Sequence, residues 1–140
     1  MKAVSYNRSG GRVGKERLGC VQGIYFVGTG LWPVAHLKSF EAVTGEKTDH
    51  WLVKTVGLLI AVIGFSLLAA VWRRRVDIQS GILGAGTALA LAAIDVRYSI
   101  RGVISPIYLG DAVAEAVLFS GWMFVGWKAL SNESDPKLKI

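Results

Sequence analysis

Hydrophobic positions fall into four long blocks separated by short polar stretches. Leu18–Leu37 is twenty residues without a charge, Thr55–Trp72 eighteen, Ile78–Ile94 seventeen and Ala116–Trp127 twelve. The last block reaches back to Tyr108 if Asp111 and Glu115 are tolerated inside it. A helix needs about 20 apolar residues to cross a hydrocarbon core about 30 Å thick. The pattern therefore predicts an all-α fold, a bundle of four transmembrane helices at about 19–38, 50–72, 78–98 and 106–127. A soluble four-helix bundle would carry a polar stripe on every helix. The run VGLLIAVIGFSLLAAVW (56–72) offers only Ser66 besides its terminal Trp72.

Local signals refine the boundaries. Pro33 sits near the end of the first span and kinks or loosens it. Ser39–Val43 can add one amphipathic turn, which Thr44-Gly45 stops. Thr48 or Asp49 can cap the second helix, and Pro106 can open the fourth. Residues 1–17 read as a flexible basic arm, 18–128 as the membrane domain and 129–140 as a flexible tail.

Charge distribution orients the bundle. Lys2, Arg8, Arg12, Lys15, Arg17, the Arg73–Arg75 run, Lys128, Lys137 and Lys139 fall on one side if the helices alternate. Only Lys38, Lys47, Lys54, Arg97 and Arg101 fall on the other. Basic residues stay in the cytoplasm. The expectation is an up-down-up-down bundle in a bacterial inner membrane with both termini cytoplasmic. Trp-Arg-Arg-Arg directly after a span suits an orientation signal, with Arg73, Arg74 and Arg75 touching anionic lipid headgroups rather than nucleic acid. The single cysteine, Cys20, has no internal disulfide partner. The charged residues before Leu18-Gly19-Cys20 argue against a lipoprotein cleavage site, and no cleavable signal is expected.

Small residues mark the packing faces, because lipid-exposed and protein-exposed leucines differ little in free energy. Gly84, Ala88 and Ala92 recur every four residues, and Asp95 lies about three turns beyond Gly84 on the same face. Gly57, Ala61 and Gly64 form a similar line, which Lys54 continues. Asp111 and Glu115, four apart, share a face. With alternating spans, His36, Lys54, Asp95, Asp111 and Glu115 all belong to the outward end. The polar segment HLKSFEAVTGEKTDHWLVKTVG (36–57) would form its rim, including Glu41, and Tyr108, Tyr98, Arg97 and Arg101 lie close in sequence.

Two interpretations of this cluster stand open. In one, Lys54 bonds to Asp95 or to the Asp111–Glu115 pair, and the ions clasp the helices in register. In the other, the carboxylates with His36 exchange protons or hold a cationic or hydroxylated ligand. Charges at membrane depth are costly unless paired or hydrated, which both satisfy. A metal site is disfavoured: no HxxxH or ExxH spacing occurs, and lysines are nearby. TGEKT (44–48) lacks the first glycine of a phosphate-binding loop. No cofactor is expected.

The runs GLWPVAHLKSFEAVTGEKTDHWLVKTVGLL and AAIDVRYSIRGVISPIYLGDAVAE together resemble a family of small, uncharacterised bacterial membrane proteins. The resemblance implies a four-helix integral membrane protein and brings no activity with it. The functional expectation is a non-enzymatic accessory or interaction protein, working as a homodimer or beside a membrane-protein partner. The alternatives are a membrane-embedded lipid-binding protein or enzyme, or a small proton-coupled transporter.

Overall fold

The computed structural model describes residues 6–133, with side chains described for residues 10–131. It is all-helical: α1 Tyr6–Ala35, α2 Leu37–Thr44, α3 His50–Trp72, α4 Ile78–Ile100 and α5 Tyr108–Glu133. Four of these helices, α1, α3, α4 and α5, are long and apolar enough to cross a membrane. Their outward faces are apolar: Leu59, Val62, Ile82, Val113 and Phe124 are all more than half exposed. Such faces suit a hydrocarbon solvent, in which buried leucine gains little over exposed leucine.

The helices differ from expectation at their ends. α1 begins at Tyr6 rather than near residue 19, so residues 6–17, expected as a loose arm, are helical. An Arg12–Glu16 pair one turn apart supports this extension at 3.1 Å, and Arg12 also donates to the Arg74 carbonyl at 3.3 Å. α5 likewise runs past residue 128, and the remainder of the expected tail, 134–140, lies outside the described residues, as do 1–5. The amphipathic turn foreseen at Ser39–Val43 is a separate helix, α2. His36 breaks the chain direction with φ −150°, and its Nδ1 accepts from the Ser39 amide at 3.2 Å. Trp32 fastens α2 back onto α1 by donating to Ser39 Oγ at 2.8 Å and packing edge-on against Phe40.

Two helix pairs make up the bundle. α1 lies along α3, and α4 along α5; α1 also meets α5, while α3 and α4 barely touch. The α1–α3 seam is built on glycine. A Cβ on Gly64 would sit 2.8 Å from the Gly23 carbonyl oxygen, and one on Gly30 would collide with the Gly57 carbonyl. Backbone thus approaches backbone, as expected of the Gly57, Ala61 and Gly64 line, all three buried. In the other pair Gly84, Ala88 and Asp95 are buried on one face of α4, also as expected.

Between the pairs lies a polar network in an otherwise greasy interior. Gln22 is fully buried. Its Nε2 donates to the Gly84 carbonyl at 2.8 Å, and its Oε1 accepts from Trp122 Nε1 at 2.7 Å. One amide therefore ties α1 to α4 and α5. Gly84 is required for this closeness, because a Cβ there would lie 2.6 Å from Gln22 Oε1.

Candidate functional site

At the end of the bundle that carries α2, the weak α3–α4 contact opens into a cleft of about 440 Å³. That is within the usual small-molecule pocket range of about 300–1,000 Å³. Phe26, Val53, Val56, Ile60, Leu91 and Ile94 supply apolar walls from α1, α3 and α4. Asp95, Asp111 and Glu115 also line it, with Lys47 and Tyr108.

The helical repeat explains how three acids converge. Asp111 and Glu115 are one turn apart on α5, and α4 packs along α5 so that Asp95 comes beside Asp111. Glu115 is close enough to feel both. From α1, the Tyr25 hydroxyl donates to Asp111 Oδ1. Asp95 and Glu115 are 6% and 1% exposed. Asp95 Oδ2 and Glu115 Oε2 are buried without a hydrogen-bond partner. Such orphaned acceptors are rare in native proteins, and each one calls for an explanation. Among the described residues, no lysine or arginine forms an ion pair with any of the three acids.

Of the residues expected to cluster, Asp95, Asp111, Glu115 and Tyr108 come together and three do not. Lys54 is exposed and does not line the cleft. It continues the Gly57–Ala61–Gly64 line, but that line faces α1, where Pro33 packs against Gly57. Asp95 faces α5 and the cleft instead, so among the described residues the expected clasp between Lys54 and the carboxylates does not form. His36 is spent on capping α2 and is exposed. Glu41 turns to the loop, where Oε1 accepts from the Lys47 amide at 3.1 Å and meets His50 Nε2 at 2.9 Å. Arg97 and Arg101 are exposed on the opposite face of α4, beside Leu89 and Val96.

Lys47 takes the place foreseen for Lys54, but only at the rim. Its ammonium donates to the Thr44 carbonyl at 2.9 Å and lies 5.1 Å from the centre of the Tyr108 ring. That is cation–π range. Tyr25 escaped notice because it stands in an uncharged span. Its signal is periodic: Gln22, Tyr25 and Thr29 are three and four apart, one polar stripe on α1.

Chemically, the arrangement offers acceptors. Three carboxyls line an apolar-walled space, Asp95 within hydrogen-bonding reach of Asp111, and Tyr25 donates to Asp111 from α1. Among the described residues, no group of three or more His, Cys, Asp or Glu side chains is arranged to hold a metal ion. In comparisons with known proteins, no family model, no curated protein and no solved structure matches this chain.

Proposed function

We propose that this chain is an integral membrane protein whose acid-lined cleft binds an amphiphile taken from the bilayer. Four spans running up-down-up-down, with both termini in the cytoplasm of a bacterial cell, suit the concentration of basic residues at one end. The acids then open towards the outer leaflet, and Arg73, Arg74 and Arg75 meet anionic headgroups on the inner face. The observation that carries binding over a purely structural clasp is the pair of orphaned oxygens. Among the described residues, Asp95 Oδ2 and Glu115 Oε2 lie buried on the cleft without a hydrogen-bond partner. A clasp would satisfy them; a site awaiting a polar head would leave them as they are. The apolar walls and the slack α3–α4 contact provide a route for a hydrocarbon tail. The unpaired oxygens and the apolar walls favour binding over catalysis.

Native mass spectrometry of the intact protein released from detergent or lipid nanodiscs tests this. A retained or exchangeable amphiphile is expected, lost together on Asp95→Asn and Glu115→Gln. Bare protein under all lipid conditions, with a melting temperature indifferent to added amphiphiles, would reject the proposal. A topology reporter fused after Lys139 should be active only in the cytoplasm.

A further inference from the structure

We infer that the head recognised in this cleft is a primary ammonium, carried on a hydrocarbon chain that leaves between α3 and α4. This deepens the binding proposed above. Three features of the site converge on it.

The first is charge. Asp95 on α4 and Asp111 and Glu115 on α5 face one another, with Tyr25 on α1 donating to Asp111 only. The cleft residues of α3 are Leu52, Val53, Val56, Gly57 and Ile60, none of them ionisable. Lys47 and Tyr108 complete the titratable groups along the cleft, and Lys47 is engaged with Thr44 and Tyr108. Acids at this depth are neutralised either by protons or by a cation. Protons would leave the carboxyls neutral; an ammonium pairs with their ionised form, and a hydroxyl does not.

The second is hydrogen-bond count. A primary ammonium has three donors and no acceptor. Asp95 Oδ2 and Glu115 Oε2 are acceptors without donors and can take two of these, and Asp111 lines the same cleft. A trimethylated ammonium has the charge but no N–H, so it leaves both oxygens orphaned.

The third is shape. The polar groups lie at one side of a cleft whose remaining walls are aliphatic, so a head and a tail are both accommodated. The rim repeats the same chemistry within the protein, since the Lys47 ammonium already rests on an aromatic face and a backbone carbonyl.

The test uses full-length protein in nanodiscs and three probes of one chain length: dodecylamine, dodecanol and dodecyltrimethylammonium. Dodecylamine should bind about tenfold or more tighter than either of the others, the margin of a charge-assisted bond over a neutral one. Asp95→Asn and Glu115→Gln should each erase most of that preference. If a variant fails to fold, the native protein still reports: lowering the pH should weaken dodecylamine, because protons compete for the same oxygens, and leave dodecanol unaffected. Vesicles of an aminophospholipid, set against their choline counterpart, show whether the ammonium comes from a lipid headgroup or from a free amine. Equal affinity for amine and alcohol overturns the ammonium assignment while the amphiphile site stands. Failure of all three probes to bind overturns both.

Discussion

Two buried polar regions sit in this bundle, and they are built on opposite terms. Around Gln22, both ends of the amide have a partner, and both partners lie on other helices. Around Asp95 and Glu115, burial is just as deep, yet one oxygen of each has none. A satisfied network in low dielectric rigidifies, and an unsatisfied one carries a cost that the fold must offset elsewhere. The first region therefore belongs to architecture. The second leaves two buried oxygens without a partner.

Breaking the satisfied region should have the largest effect. Gln22→Leu strands Trp122 Nε1, at a cost of about 1–3 kcal/mol, and removes the second bond to the Gly84 carbonyl. A clearly lower melting temperature in detergent is expected; an unchanged one would show that the network adds nothing. Asp95→Asn and Glu115→Gln should act the other way in unliganded protein. Removing an unpaired acid at membrane depth should raise the melting temperature, by a stabilisation of about 1 kcal/mol or more. A marked fall would mean that the acids hold the helices together after all.

Smaller changes sharpen the contrast. Tyr25→Phe removes the donor that α1 supplies to Asp111, so Asp111 loses a hydrogen bond worth about 1 kcal/mol net. Thermal unfolding should move slightly, and amphiphile binding should change more than unfolding does. The smallest effect belongs to an exposed acid with partners in hand. Asp77 caps α4, its Oδ1 accepting from the Ser80 amide at 2.9 Å and the Ser80 hydroxyl at 3.1 Å. Those bonds hold its carboxyl below the usual carboxylate range. Its stabilisation is thus complete above the ordinary aspartate value and fades as pH falls through the lowered one. Asp77→Asn, which still caps, should flatten that acid-side slope in a pH series of melting temperatures and leave neutral pH nearly unchanged.

The number of long apolar helices and their packing faces were legible in the sequence because their causes are local and periodic. Block length fixes a span, and the spacing of Gly57, Ala61 and Gly64 or of Gly84, Ala88 and Asp95 fixes a face. The convergence of Asp95 with Asp111 and Glu115 followed from the same rule. What periodicity does not specify is which neighbour a face meets. Lys54 lies on the line it was assigned, yet that line meets α1 and not the acids. His36 misled for another reason: a side chain at a helix boundary is drawn to the free amides of the next turn, and its ring nitrogen went there. Gln22 and Tyr25 were readable as a stripe, but neutral polar residues in a long apolar block attract less notice than charges do. The extension of α1 to Tyr6 depends on pairs such as Arg12–Glu16, which composition alone hides.

The turns on either side of α4 offer a last contrast. α4 ends on Gly102 at φ 69°, with Val103 donating back to the Tyr98 carbonyl and Gly102 to Ser99. α3 ends with the same pair of bonds, from Arg75 to Ala70 and from Arg74 to Val71, but Arg74 holds the left-handed position at φ 52°. Glycine adopts that conformation freely, and arginine does so at a cost of about 1–2 kcal/mol. The joint linking the glycine-seamed α1–α3 slab to the α4–α5 slab is thus sprung on a side chain that prefers another shape. Because α3 and α4 share so little surface beyond that joint, the two slabs are held to each other mainly through α1, by Gln22 to Gly84 and Trp122 and by Tyr25 to Asp111.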